Sequence, residues 1–226
     1  MIDLTELKGE RQLLRLPTVY RPQDDTYLLV RELERNPIPP GSRVLDLCTG
    51  AGPLALATAR FQPKSIVAVD ISWPAVLSAR LNAALQRVPV KVVHGGLEEA
   101  ISHGPFDVVL SNPPYVPCAR QRPDMPSAAW DAGHDGRLVL DPICDAAGEL
   151  LSPGGFMLLV HSEFSGEDTT IERLRRNCVM PSVVARSRIP FGPVLRRRLA
   201  DGSIRPRGGA EGSTEELVVI RADKAA

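Results

Sequence analysis

Net charge is the first thing this 226-residue sequence lacks: 27 Lys and Arg residues balance 27 Asp and Glu. A neutral chain has no global attraction for nucleic acid or an anionic membrane, so any such contact needs a local patch. Cysteine is scarce and scattered. Cys48, Cys118, Cys144 and Cys178 form no C-x-x-C pair, and His94, His103, His134 and His161 do not cluster with them. That spacing argues against a structural metal and against a disulfide framework, so no metal site is expected. Aromatic residues make up only 4% of the chain, which leaves little surface on which to stack a flipped base. No apolar run approaches the roughly 20 residues that cross a bilayer. Asp3, Glu6, Lys8, Glu10 and Arg11 interrupt any signal-peptide core. The expected setting is a reducing cytoplasm without membrane contact.

What the sequence does have is 43% hydrophobic residues in a strand-helix alternation, enough for the core of one medium α/β domain spanning 1–226. Residues 1–24 read as an N-terminal extension. The periodicity predicts a helix over Asp25–Arg35, a buried strand over Arg43–Leu47 and a helix opening at Pro53. It continues with a strand over Ser65–Asp70, a helix from Pro74 to Arg87 and strands over Val90–Val93 and Phe106–Leu110. A long proline-rich loop then covers Asn112–Asp135, followed by a helix over Arg137–Leu151, Pro153-Gly154-Gly155, and a strand over Phe156–Val160. Strands alternating with helices imply a doubly wound, mostly parallel sheet covered on both faces. The last third reads as less regular, with a final strand over Glu216–Ile220 reached through a flexible stretch, Gly202–Thr214.

The run V-L-D-L-C-T-G-A-G, Val44 to Gly52, takes a strand into a glycine turn and then a helix. Gly50 and Gly52 let that turn tighten and let a ligand approach the backbone. Twenty positions after Gly50, I-V-A-V-D closes on Asp70, whose carboxylate can accept from both ribose hydroxyls of a nucleoside. The turn also fits the G-x-G-x-x-A form of a dinucleotide site. Two residues oppose that reading. Asp46 would crowd a pyrophosphate but could hold a cationic amino group, and Pro53 removes an N–H that phosphate would use.

The most specific signal is S-N-P-P-Y, Ser111 to Tyr115, at the end of the strand F-D-V-V-L. Consecutive prolines fix the backbone. The Asn112 side-chain carbonyl and the Pro113 backbone carbonyl are two acceptors suited to the two coplanar N–H bonds of an amide or amine. The Tyr115 ring can lie against the flat face of that group. Such nitrogens are weak nucleophiles, so catalysis would rest on proximity and electrostatics rather than a strong base.

Together these segments resemble the HemK-like glutamine methyltransferases that modify peptide-release factors. The likeness covers V-Y-R-P-Q-D-D-T-Y-L-L (Val19–Leu29), the Asp46–Gly52 turn, Asp70, Asn112–Tyr115, and A-A-W-D-A-G-H-D-G-R (Ala128–Arg137). The Tyr-x-Pro-x-x-Asp-Thr segment and short N-terminus look most like the archaeal and eukaryotic subgroup. There is no room for the helical domain that precedes the bacterial catalytic domain. The resemblance implies a Rossmann-like, mostly parallel seven-stranded sheet with an antiparallel C-terminal strand. It implies S-adenosylmethionine held by Thr26, Asp46, Cys48, Gly50, Gly52, Asp70, Ile71, Gly96, Leu97 and Asn112. Asn112, Pro113, Pro114 and Tyr115 would hold the substrate amide, with Trp130 and the Gly133–Gly136 loop at the entrance or simply packing the loop. A release factor is the implied protein substrate, and a small activator subunit accompanies the subgroup. Cys48 stands where the family often has glycine, and His94-Gly95-Gly96-Leu97 replaces the usual acidic residue near the adenine.

A variable basic segment, 186–214, has no counterpart in that family. Arg186, Arg188, Arg196, Arg197, Arg198, Arg205 and Arg207 face a single acid, Asp201, between Arg186 and Arg207. It could contact RNA or an acidic protein, or form a solvated face. The leading expectation is methylation of a protein glutamine. The rivals are the adenine amine of DNA or RNA, a lysine or small amine, and a non-catalytic scaffold.

Overall fold

The computed structural model describes residues 3–7, 11–119, 129–202, 204 and 213–226. Strands β1 (Asp3–Leu7) and β2 (Arg11–Arg15) form an antiparallel hairpin. After it come helix α1 (Asp24–Arg35) and the first strand of the main sheet, β3 (Arg43–Leu47). Helix α2 (Pro53–Thr58), strand β4 (Ser65–Asp70), helix α3 (Trp73–Gln86) and strand β5 (Val90–His94) build outward from β3 on one side, all three strands parallel. Helix α4 (Leu97–Ser102) then returns the chain to the other side of β3, where β6 (Phe106–Ser111) pairs parallel with it.

Two short helices, α5 (Leu140–Asp145) and α6 (Ala147–Leu150), lead to β7 (Leu151–Ser162), parallel to β6. Helix α7 (Glu167–Arg176), strand β8 (Val179–Pro190) and helix α8 (Pro193–Ala200) follow. The last strand, β9 (Thr214–Lys224), inserts antiparallel between β7 and β8, so the order is β5-β4-β3-β6-β7-β9-β8.

The sheet divides its side chains with a period of two. Leu45, Leu47, Val67, Val69, Val109 and Leu159 pack with Leu140, Ile143, Leu150 and Leu174 on one face. Val44, Val108, Leu110, Leu158 and Val160 meet Leu28, Leu29, Leu33 and Leu54 on the other, where Ile66, Ala68 and Val92 also meet Ala55, Val76 and Ala79. The hairpin is tied to that face by Asn82 of α3, which accepts from Leu14 N at 2.7 Å and donates to Leu14 O at 2.8 Å and Ala51 O at 2.9 Å.

Three expectations need correction. The helix expected over Arg137–Leu151 opens only at Leu140, with Pro142 in its first turn, and breaks at Ala146 into two short helices. Pro153-Gly154-Gly155 is not a turn ahead of a strand but lies within β7, where the register against β6 slips between Phe106 and Val108. The last third is regular, with α7, β8, α8 and a β9 longer than the predicted Glu216–Ile220. Most of the stretch Gly202–Thr214, with Arg205 and Arg207, lies outside the described residues, as does Ala128. Strand order reverses between β3 and β6, and in an open α/β sheet that switch point opens a crevice beyond the carboxyl ends of the strands.

Candidate active site

A cavity of about 910 Å³ occupies that crevice. One wall is built from residues that follow β3, β4 and β5. Gly50 (φ +57) and Gly52 (φ +86) turn the chain in the left-handed region, where glycine is at ease. Cys48 shares that region at φ +62, where a side chain costs about 1 kcal/mol. Burial pushes its thiol pKa up, so it is held as a neutral small residue. The Asp70 carboxylate takes Gly50 N–H at 2.8 Å on Oδ2 and Ser72 N–H at 2.9 Å on Oδ1. Burial raises its pKa, and those two N–H groups oppose the rise. Cys48, Gly50, Asp70, Ile71, Gly96 and Leu97 all line the cavity.

Asp46 and Gly52 do not line it. Asp46 alternates with Leu45 and Leu47, so its side chain points to the α2 face and is fully buried there. Its Oδ2 accepts Thr49 Oγ1 at 2.6 Å and Ala55 N at 2.9 Å, while Oδ1 has no partner. Burial raises its pKa to about 7. Through Oδ2 the carboxyl props the glycine turn against the N-terminal turn of α2.

The opposite wall is assembled from distant segments. Asn112, Pro113, Pro114 and Tyr115 follow β6, and Thr26 and Trp130 border the same space. Asn112 Nδ2 donates to Thr26 Oγ1 at 3.1 Å. Tyr115 Oη donates to Asp25 Oδ2 at 2.9 Å, and Tyr20 Oη donates to the same oxygen at 2.7 Å. Burial and the adjacent Asp25 hold both phenols well above their ordinary pKa. The Trp130 segment packs along the motif: Val116 N–H donates to Trp130 O at 2.9 Å, and Cys118 N–H to Gly133 O at 2.8 Å. Gly136 (φ +74) allows Tyr115 O to approach, since a Cβ there would lie 2.3 Å from that oxygen.

Sequence reasoning passed over Asp25, Tyr20 and Glu215. The first two lie in the Tyr-x-Pro-x-x-Asp-Thr segment, but the bond that ties Asp25 to Tyr115 spans 90 positions. Glu215, at the start of β9, lines the cavity although it is nearly buried. Burial, with Asp25 and Glu163 nearby, raises it to about 7. It carried no motif at all.

Four arginines of the basic segment have partners within the fold. Arg186 pairs with Glu167 at 2.7 Å and Glu216 at 2.9 Å, and Arg188 lies 3.8 Å from Glu216. Arg196 donates to Phe191 O at 3.0 Å. Arg198 clamps α8 to the entrance loop through Asp131 at 2.6 Å and Pro117 O at 2.8 Å. Among the described residues, no group of three or more His, Cys, Asp or Glu is placed to hold a metal ion. No described helix is long and apolar enough to cross a membrane.

Residues 17–188 match the family described as methyltransferase small domain. The chain belongs to that family. A provisionally named protein N5-glutamine methyltransferase of Methanocaldococcus jannaschii is 33% identical over 196 residues, 85% of this chain and 96% of that one. The release factor glutamine methyltransferase of Deinococcus radiodurans is 40% identical over 150 residues, 62% of this chain and 52% of that one. This methyltransferase therefore spans about half the length of the release-factor enzymes it matches. Among solved structures it shares its fold with Mtq2 in the E. cuniculi Mtq2–Trm112 complex, at TM-score 0.60 and 23% identity, covering 92% of this chain and 99% of that one. It shares it also with the T. thermophilus 16S rRNA methyltransferase RsmC, at TM-score 0.67 and 19% identity, covering 99% of this chain and 50% of that one.

Proposed function

We propose that this methyltransferase uses S-adenosylmethionine to methylate the side-chain nitrogen of a glutamine in a protein, a peptide-release factor being the substrate. The observation that carries the reading is the placement of Asn112-Pro113-Pro114-Tyr115 across one cavity from Asp70 and the glycine turn. The residues present fit the cofactor. Asp70 offers carboxylate oxygens where a nucleoside sugar would lie, and Gly50 and Gly96 present bare backbone beside Ile71 and Leu97. Bound there, S-adenosylmethionine supplies an electrophilic methyl group on a sulfonium. Asn112 and the Pro113 carbonyl accept the two N–H bonds of the acceptor amide and turn its lone pair toward the cofactor side. The Tyr115 ring, held by Asp25, closes one face of that plane and excludes water. The names of the M. jannaschii and D. radiodurans relatives support glutamine as the acceptor.

A nucleic-acid acceptor draws no such support, because Arg186, Arg188, Arg196 and Arg198 already have intramolecular partners. A small amine is the second reading. A 4-amino-L-phenylalanine/4-methylamino-L-phenylalanine methyltransferase of Streptomyces pristinaespiralis is 33% identical over 131 residues. The proposal extends to a cytoplasmic setting and to a small partner subunit. Helix α3 leaves Trp73, Leu77, Leu81 and Leu85 exposed in one i,i+4 row, apolar area that such a subunit would cover. The deciding experiment is transfer from labelled S-adenosylmethionine to a release factor carrying Gly-Gly-Gln. Label that disappears when the glutamine becomes alanine supports the reading. Label only on RNA, DNA or a free arylamine sinks it.

A further inference from the structure

Four hydrogen-bond donors converge on the buried Asp25 carboxyl. The Tyr20 and Tyr115 hydroxyls meet Oδ2 at 2.7 and 2.9 Å, and the backbone N–H and hydroxyl of Thr26 meet Oδ1 at 2.5 and 3.2 Å. A group that accepts from all four leaves the Thr26 hydroxyl no choice: its proton points at Asp25 and its lone pairs face away. Only a donor can meet those lone pairs, and the group that does is Asn112 Nδ2 at 3.1 Å.

An asparagine amide has two ends of nearly the same shape and opposite hydrogen-bonding character. For an acceptor that is itself an –NH2 group, the orientation decides everything. The oxygen end accepts an N–H bond, whereas the nitrogen end would set donor against donor. We propose that Thr26, oriented by Asp25, is a positioning residue that locks the Asn112 amide with its nitrogen turned back into the protein and its oxygen toward the acceptor nitrogen. The same carboxyl fixes the tilt of the Tyr115 ring, so one buried group sets two elements of the acceptor pocket. Because the neighbouring phenols stay protonated far into alkaline pH, they remain donors and the polarity of the chain does not reverse. This inference rests on the acceptor reading above for its catalytic meaning, but the lock itself is a property of the free protein.

The test compares Thr26→Val, which keeps the shape and loses the hydroxyl, with Thr26→Ser, which keeps the hydroxyl. Thr26→Ala serves if the valine variant does not fold. Nitrogen-15 spectra of the free protein should show one Asn112 side-chain amide proton exchanging slowly, and faster in the valine or alanine variant. With a Gly-Gly-Gln peptide, loss of the hydroxyl should lower kcat roughly 10- to 100-fold, while serine restores most of it. Affinity for S-adenosylmethionine by calorimetry should fall far less than kcat, although Thr26 also borders the space the cofactor would fill. Unchanged amide exchange, unchanged kcat, or a loss of cofactor affinity equal to the loss of kcat would overturn the proposal. If the wild-type protein leaves the peptide unlabelled, the glutamine reading fails, and the exchange measurement still decides the lock.

Discussion

The two walls of the cavity are built by different means. The wall after β3, β4 and β5 comes from three short stretches between residues 47 and 97, each following a strand, and is shaped by backbone: left-handed turns at Cys48, Gly50 and Gly52 and N–H groups aimed at Asp70. The wall carrying Asn112 and Tyr115 draws on residues near 20–26, 112–116, 129–139, 189–195 and 215. It is held by side chains that reach across the chain: Tyr115 to Asp25, Asn112 to Thr26, Arg198 to Asp131. A nucleoside-bearing ligand common to many methyltransferases can be met by local backbone geometry. A particular acceptor calls for groups that only the finished fold assembles.

Single changes should separate the two walls. The largest effect is expected from Asn112→Ala, which removes an acceptor aimed at the reacting group. kcat should fall about 100- to 1000-fold with cofactor affinity nearly intact, and a large loss of S-adenosylmethionine binding by calorimetry would undo the division. Asp70→Ala should do the reverse, weakening cofactor binding roughly 10- to 100-fold through lost hydrogen bonds to a charged group. Next come two glycines in the same backbone region. Gly136→Ala drives a Cβ to 2.3 Å from Tyr115 O and should cost about 3 kcal/mol of stability, whereas Gly50→Ala meets nothing within 4 Å and should cost about 1 kcal/mol. Denaturant titration would rank them, and equal costs would mean the acceptor wall is softer than its geometry implies. Arg198→Ala frees the entrance loop from α8. It should lower kcat/KM several-fold and by the same factor for a short peptide and a whole release factor, since the clamp is internal. A loss confined to the whole protein would restore a docking role for the basic segment.

A pH slope is expected from two buried carboxyls, one propping the glycine turn and one on the acceptor wall. Asp46 and Glu215 both rise to about 7. Between roughly pH 4 and pH 7 the folded state therefore holds protons that the unfolded chain has released. Stability should fall as pH rises through that window, by at most about 1.4 kcal/mol per pH unit for each group. Asp46→Asn and Glu215→Gln should each flatten the decline measured by urea unfolding from pH 5 to 7, and a slope unchanged in both would show that neither carboxyl holds its proton.

How much could be read beforehand follows the same division. The strand order around β3, the glycine turn and Asp70 are legible because each is a local pattern of periodicity and breaker residues. Asn112-Pro113-Pro114-Tyr115 is legible because consecutive prolines at a strand end are rare chemistry. Asp46 is legible as important but not as structural, since only the pleat of β3 turns it away from the cavity. Strand β8 hides because it is an edge strand with Pro181 and Pro190 in it and a half-exposed face, so its alternation blurs. Glu215 hides because nothing adjacent in sequence distinguishes it from a surface acid, and Asp25, though inside the Tyr-x-Pro-x-x-Asp-Thr segment, shows nothing there of its bond to Tyr115. Their meaning lies in partners 90 positions away, or in a strand that arrives from the far side of the sheet.

The paired phenols on Asp25 also give the acceptor wall an optical signature. All three tyrosines are raised by burial, and Tyr20 and Tyr115 stand well above the ordinary phenol range because ionising either would also place a second negative charge beside Asp25. In alkaline solution the intact wall keeps them dark at the tyrosinate absorption band, and its collapse lets both ionise at once. Near-ultraviolet titration of the tyrosines should thus report whether the acceptor half of the site is assembled, without substrate, cofactor or label.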